Sequence, residues 1–467
     1  MNSRNSNVET GKKAFRFIAS LILVAVVTTL FGIMWYMRLT MLMSQRFLTI
    51  GNYLMIGLYV IFTVLVINTF KGFSIGSGRI SILTMSQAIS MVLVNFIEFI
   101  LVVLMTRIKQ FVWMTLAYII VLTAAQLVAV LFVTFVTTKL YRRIFPPFTI
   151  LNIYGDHENN LVEKMNRRPD KYHITGQINC QESLDKIVET LEGYDAALIN
   201  DVPSEVRNDI IKACFDTGKR VYFTPKISDI LIKGADEVYL FDTPLYLCKN
   251  VGMDGVTAFV KRTTDIVLSL IGIILSSPLM LGAAIAIHRY DGGPVFYKQT
   301  RCTIGGKEYK IMKFRSMITD AEKDGKARLA SENDDRITPV GRFIRATRID
   351  ELPQFFNILK GDMSFVGPRP ERPEIIKEYV KNVPEFAFRT HVKAGLTGYA
   401  QVYGKYNTTS YDKLKLDMMY VEKCSIWLDL QLILMTIRVV FTKDATEGVE
   451  EGAVNANVKP SGKDENK

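Results

Sequence analysis

Asp350-Glu351 is an adjacent acid pair in a stretch rich in bases, with Lys313, Arg315, Arg342, Arg345, Arg348 and Arg369 between positions 313 and 369. Such a constellation suits a polyanion. The cations can neutralise phosphate oxygens, and carboxylates can act as nucleophile, base or ligand of a hard metal. Asp350 is a good N-cap type and Pro353 suits a first turn, so the pair is predicted to open a helix whose free amides favour an anion. Neighbouring side chains on such a turn point ~100° apart, so one carboxylate could face a reacting centre while the other holds a metal. The bland alternative is a charged cap and nothing more. Gly367-Pro368-Arg369-Pro370 taken alone is a rigid turn. Taken together, the arginines, the acid pair and the Arg-bearing turn point to phosphate chemistry.

The elements that must position these residues begin in an apolar N-terminal region. Four runs, at roughly 17–37, 51–70, 82–106 and 111–138, are each long enough to cross ~30 Å of hydrocarbon. The chain has 467 residues and a net charge of +11. Residues 1–147 hold thirteen bases against Glu9 and Glu98, so they carry the whole excess, and the remainder is balanced. The charge therefore reports membrane topology, and nucleic acid is excluded as a partner. Nine flanking bases (Arg4, Lys12, Lys13, Arg16, Lys71, Arg79, Lys139, Arg142 and Arg143) oppose four (Arg38, Arg46, Arg107 and Lys109). That asymmetry puts both ends of the bundle in the cytoplasm. Glu98, inside the third run, has two readings: a functional intramembrane acid or a buried carboxylate that helps pack helices. With no chain of such residues, a transporter is disfavoured. Cys180, Cys214, Cys248, Cys302 and Cys424 are odd in number and scattered, which suggests reduced thiols rather than disulfides or zinc. The four His are not at ligand spacing, so any metal should be a hard cation held by oxygens.

After Pro146-Pro147 the composition becomes that of a soluble domain. Strands at 148–154, 196–199 and 221–223, with helices at 159–167 and 206–217, predict a small α/β domain with a parallel sheet. Its first turn, Gly155-Asp156-His157, has one glycine where a dinucleotide fingerprint has three. A structural or regulatory module is preferred. A fifth apolar stretch, Thr264–Ile287, is interrupted by Ser276-Ser277-Pro278. It is either a kinked fifth span or a helix that enters one leaflet, breaks at Ser277-Pro278 and returns.

Five further segments carry a family resemblance: KRTTDIVLSLIGIILSSPLML, GPVFYKQTRCTIGGKEYKIMKFRSM, TPVGRFIRATRIDELPQFFNILKGDMSFVGPRP, AGLTGYAQVYGK and LDMMYVEKCSIWLD. In this order over residues 258–443 they resemble the catalytic domain of bacterial polyprenyl-phosphate sugar-1-phosphate transferases, monotopic phosphoglycosyl transferases that start capsule, exopolysaccharide and O-antigen units. The resemblance is to the large subgroup. It implies a four-span bundle (1–145), a Rossmann-like α/β domain (146–250), and an α/β phosphoglycosyl transferase domain (255–443) with a re-entrant helix at about 264–288. A disordered tail (444–467) follows. Cys302 stands where the family often has Gly, Ser316 where it has Thr, and Arg348 where it usually has Ser.

The implied reaction is a two-step exchange in the bacterial inner membrane, with the catalytic domain on the cytoplasmic face. Asp350 attacks the sugar-linked phosphate of a UDP-sugar, UMP leaves, and polyprenyl (undecaprenyl) phosphate then attacks the phosphosugar held on the enzyme. By family position Glu351 binds Mg²⁺, and Lys313, Arg345, Arg369 and, less centrally, Arg301 contact phosphate. The bilayer is a partner, and a homodimer is suggested by resemblance. Ile426–Phe441 is amphipathic and suits either the membrane surface or the core. The alternative from another class is a non-catalytic membrane scaffold or sensor with a degenerate transferase domain. The sugar and the polymer are not readable from these residues.

Overall fold

The computed structural model describes residues 3–43, 49–76, 78, 80–106, 111–155, 161–248, 253–319, 334–404 and 408–440. The expected tail, and Asp156-His157 of the first α/β turn, lie outside them. The chain divides into two compact units, Met1–Thr224 and Pro225–Lys467. The division falls within the 146–250 interval assigned above to one domain.

The first unit opens with four helices, α1 (Ser3–Met37), α2 (Thr49–Thr69), α3 (Ile80–Met105) and α4 (Phe111–Ile144). Each is long and apolar enough to cross a membrane. Leu23, Val27, Phe31 and Trp35 recur every fourth residue of α1 and are fully buried, and Phe31 stacks on Tyr59 of α2 with ring centroids 3.9 Å apart. Polar side chains pair inside the bundle, as apolar surroundings demand. Asn95 donates to Gln126 and Thr123, and Gln126 donates to Tyr59 and to the Val27 carbonyl. Glu98 is fully buried beside this network, and neither carboxylate oxygen has a hydrogen-bond partner among the described residues.

The α/β part follows as β1 (Phe148–Tyr154), α5 (Leu161–Asn166), β2 (Tyr172–Asn179), α6 (Leu184–Glu192), β3 (Ala196–Asn200), α7 (Ser204–Asp216) and β4 (Arg220–Phe223). Its sheet is wholly parallel with order β2-β1-β3-β4. β3 is buried along its length, whereas β2 alternates between exposed and half-buried positions, as an edge strand does. The Lys12 ammonium of α1 sits 3.6 Å from the Phe148 ring centre, and Arg142 of α4 pairs with Asp170 at 2.8 Å.

The second unit begins with α8 (Ile227–Lys233), whose Ile227 and Ile230 pack with Phe386, Leu414 and Met418. A hairpin of β5 (Asp236–Leu240) and β6 (Thr243–Leu247) precedes α9 (Gly255–Asp291). α9 is a fifth helix of membrane-crossing length, and it is helical throughout, Pro278 included. Proline removes the donor that the Ile274 carbonyl would use. The Ser277 hydroxyl supplies one instead at 2.8 Å, while Ser276 bonds the Gly272 carbonyl at 2.6 Å. Pro278 thus lies inside a helical run in which both preceding serines bond back to the turn before it.

Beyond α9, β7 (Phe296–Cys302) and β8 (Glu308–Phe314) form an antiparallel hairpin. Then come α10 (Pro339–Ala346), a 3₁₀ turn at Ile349–Glu351, α11 (Gln354–Lys360), β9 (Ser364–Val366), α12 (Pro373–Asn382), β10 (Gly395–Thr397), α13 (Tyr399–Tyr403), α14 (Ser410–Lys423) and α15 (Ile426–Val440). α11 lies against α9, where a side chain at Gly272 would meet the Phe355 ring at 2.9 Å. Glycine there lets the ring rest on backbone. On α15, Leu432 and Met435 are buried while Trp427, Leu430 and Ile437 are exposed, the two-faced pattern expected of 426–441.

Candidate active site

The acid pair is not where a capping argument puts it. Asp350 and Glu351 sit in the 3₁₀ turn, and α11 starts only at Gln354, after Pro353 in the N-cap position. Arg348 precedes the turn at φ +58°, a left-handed conformation that costs a non-glycine residue about 1–3 kcal/mol. This kink separates α10 from the turn. Asp350 therefore caps nothing, and α11, seven residues long, is not the anion-binding helix end that was anticipated. The positive charge around the acid pair comes from side chains instead.

Glu351 is held from two directions. Lys313 Nζ of β8 donates to its Oε1 at 2.9 Å, and Arg369 Nη2 donates to the same oxygen at 3.1 Å. Burial alone would raise its pKa, but the charges of Lys313, Arg369 and Arg348 hold the carboxyl well below the usual range. Asp350 differs. Its Oδ1 is buried without a hydrogen-bond partner among the described residues. Burial first, and the neighbouring Glu351 charge second, push its pKa up to about 6, with Lys313, Arg348 and Arg345 opposing. The turn thus presents one firmly ionised carboxylate and, next to it, a more basic one with an unpaired oxygen.

Strand β8 is fixed relative to this turn by Asn357 of α11, which accepts from the Met312 amide at 2.9 Å and donates to the Lys310 carbonyl at 2.9 Å. These bonds set the height of Lys313. Arg369 is fixed through its own backbone. Gly367 and Gly395 approach so closely that a side chain at Gly395 would lie 2.1 Å from the Gly367 nitrogen. Arg389 donates to the Arg369 carbonyl at 2.8 Å, and Arg301 to the Pro370 carbonyl at 3.2 Å.

Lys313, Arg369, Asp350 and Glu351, expected from sequence to act together, are brought together, and Arg345 is near enough to act on Asp350. Arg301 has its guanidinium on Pro370, on Gln299 at 2.6 Å and near Glu371 at 3.7 Å. Arg315 pairs with Asp291 at the end of α9, and Arg342 is exposed. Sequence reasoning did not single out Glu371, Arg389, Lys413 and Asp417, a charged cluster behind the Arg369 turn. The only signal was Glu371 itself, following the Pro-Arg-Pro run.

Among the described residues no three His, Cys, Asp or Glu side chains are grouped as metal ligands. Magnesium asks for less: one or two carboxylates, with substrate phosphates and water completing its shell. The adjacent acids, one with a buried unpaired oxygen, meet that smaller demand.

The segment that carries these residues is similar to known proteins. Residues 256–443 match the family described as bacterial sugar transferase. The UDP-N-acetylgalactosamine-undecaprenyl-phosphate N-acetylgalactosaminephosphotransferase of Aeromonas hydrophila is 43% identical over 188 residues, 40% of this chain and 44% of that protein. The UDP-glucose:undecaprenyl-phosphate glucose-1-phosphate transferase of Klebsiella pneumoniae is 41% identical over 211 residues, 44% of this chain and 43% of that one. The match thus spans less than half the length of these two relatives. The protein of the same name from Caulobacter vibrioides is 40% identical over 189 residues, 39% of this chain but 70% of that shorter relative. With that coverage and the match over residues 256–443, the chain belongs to the bacterial sugar transferase family.

Proposed function

We propose that the protein transfers a hexose-1-phosphate from a UDP-sugar to polyprenyl phosphate, as the first membrane step of a surface polysaccharide. The observation that carries this reading is the unpaired, buried oxygen of Asp350 beside a Glu351 pinned by Lys313 and Arg369. The Asp350 carboxylate attacks the sugar-linked phosphorus, the bond from that phosphorus to the bridging oxygen breaks, and UMP departs with the electron pair. An oxygen of polyprenyl phosphate then attacks the same phosphorus, the acyl-phosphate bond breaks, and the carboxylate is restored. Splitting the transfer keeps the two polyanions from having to meet.

Lys313, Arg345 and Arg369 stabilise charge on the phosphoryl oxygens, where preorganised cations act most strongly. Glu351 is the assigned Mg²⁺ ligand. The ion, when bound, neutralises pyrophosphate oxygens and eases departure of the leaving group. Arg301 serves the Pro370 end of the turn and stands further from this chemistry. We assign α9 as re-entrant, with Ser277-Pro278 as its bend, because hydroxyls bonded back to the preceding turn favour bending. That keeps the site on the cytoplasmic face of the inner membrane, where nucleotide sugars are. The α/β part is structural or regulatory, and a homodimer fits the family. The matched relatives are named for different sugars at similar identity, so the donor is assigned only as a UDP-hexose.

The test is UMP release by the purified full-length protein in lipid, with Mg²⁺, polyprenyl phosphate and a panel of UDP-sugars. Release with one donor, together with capture of the phosphosugar on the protein when lipid acceptor is withheld, is the expected result. Absence of release with every donor from folded protein refutes the assignment. Glu351→Gln should lose both activity and Mg²⁺ response, and a wild-type metal response in that variant would sink the ligand assignment.

A further inference from the structure

The N-terminal turns of α9 carry three charged residues, Lys261, Arg262 and Asp265, on a helix that is otherwise mostly apolar. Lys261 and Asp265 are four apart and share a face. Both are buried, and both reach backbone of the same three-residue strand. Asp265 Oδ1 accepts from the Phe365 amide and the Ser364 hydroxyl, each at 3.0 Å. Lys261 Nζ donates to the Val366 carbonyl at 3.0 Å. Strand β9 has a single paired neighbour, β10, among the described residues. The two α9 side chains thus satisfy backbone groups along β9 that no second strand serves.

The next residues after Val366 are Gly367, Pro368 and Arg369. Lys261 is itself held by Asp429 of α15 and by Tyr420 of α14, whose hydroxyl lies 2.8 Å from Asp429 and 3.1 Å from the Val366 carbonyl. Arg262 reaches the other flank of the site. Its two terminal nitrogens donate to the Ile358 and Leu359 carbonyls at 2.7 Å, closing the C-terminal end of α11. α11 begins three residues after Glu351. One turn of α9 therefore grips the segment that carries Arg369 and the helix that follows the acid pair.

The geometry points to Lys261, Arg262 and Asp265 as positioning residues, through which the apolar helix α9 sets Arg369 against Asp350 and Glu351. This rests on the transferase reading and deepens it. The seating of α9 in lipid and the spacing of the catalytic charges become one mechanical unit, because rigid bonded elements transmit displacement. A buried ion pair such as Lys261–Asp429 often serves only stability, and replacing both members by apolar residues is frequently neutral. That property separates the two roles.

Three variants of the full-length protein in lipid nanodiscs test it: Lys261→Met, Asp265→Asn and the double variant Lys261→Met/Asp429→Leu. Lys261→Met and Asp265→Asn should each lower kcat by roughly tenfold or more, with KM for the UDP-sugar nearly unchanged, since small misplacements act mainly on the reacting geometry. Hydrogen exchange at the Phe365 and Gly367 amides should quicken in both. The double variant should recover the thermal midpoint lost in Lys261→Met but not kcat. Recovery of kcat together with the midpoint, or unchanged exchange at those amides, overturns the proposal. A wild-type protein inactive with every UDP-sugar overturns the transferase reading alone, and the exchange measurements still decide the coupling.

Discussion

Two acidic centres flank the Arg369 turn, and they differ in whether every acid has a cation paired with it. Behind the turn, Glu371 meets Lys413, Arg389 at 3.7 Å and Arg301 at 3.7 Å, while Arg389 also reaches Asp417 at 2.8 Å. Burial opposes ionisation of Glu371, yet Lys413 and Arg389 hold its carboxyl well below the usual range. In front of the turn, Glu351 is held in the same way, but Asp350 is left with a buried, unpaired oxygen and a raised pKa. Burial raises the pKa of Asp417 as it does that of Asp350, but Asp417 faces Arg389 at 2.8 Å, whereas Asp350 has no ion-pair partner within 4 Å among the described residues. The ion-paired cluster stabilises the frame, since removing one member strands a buried charge. A cluster with one open acid keeps a basic oxygen available for reaction, and open groups of this kind collect at functional sites.

The comparison can be broken most directly at Asp350. Asp350→Asn should reduce UMP release by ~10³-fold or more while leaving the fold intact, as loss of a nucleophile does. A variant retaining near-normal turnover would show that the open acid is not the reacting one. Glu371→Gln should do the opposite. It is expected to cost about 3–5 kcal/mol of stability by stranding Arg389 and Lys413, read as a lower thermal midpoint, with kcat per folded molecule much less affected than in Asp350→Asn. If Glu371→Gln is stable but inactive, the division between frame and chemistry fails.

A pH profile sharpens the same contrast. In the proposed mechanism Asp350 attacks as its anion, and its pKa is raised to about 6. The rate should therefore climb about tenfold per unit below pH 6 and level off above it. Arg345 favours the ionised form, so Arg345→Met should move this limb to higher pH, and a limb that stays in place or moves lower contradicts the placement. The smallest effect concerns Arg348. Its φ of +58° suits glycine, so Arg348→Gly should relieve about 1–3 kcal/mol of strain, offset by greater freedom of the unfolded chain to a net gain of about 1 kcal/mol at most. A large loss of midpoint would mean that the side chain, not the conformation, matters there.

Local patterns were legible where their cause was local. The four N-terminal runs became α1–α4, and the strands expected at 148–154, 196–199 and 221–223 became β1, β3 and β4, because hydropathy and β-propensity act within a segment. β2 and α6 escaped the sequence reading. The strand's alternation, YHITGQIN, is diluted by Gly176 and polar residues, and the short helix is signalled mainly by its Ser183 cap. Asp350 was assigned the right neighbourhood but the wrong local role. A good N-cap residue followed by proline suggests a helix start, whereas the chain leaves the left-handed Arg348 in a 3₁₀ turn, and the α-helix starts only at Gln354.

From the sequence alone came the membrane-length apolar helices, the balanced charge of the remainder, the ordered motifs, and the acid pair with bases close to it along the chain. Those follow from composition and spacing, which any chain carries before it folds. Which cation meets which acid was decided only by tertiary structure. Lys313 meets Glu351 across 38 positions and Lys261 meets Asp429 across 168, while Arg301 binds the backbone 69 positions away. Burial makes each such pairing specific, since a charge removed from water must be matched where it lies. Sequence spacing holds no record of that match, because packing between distant elements selects it.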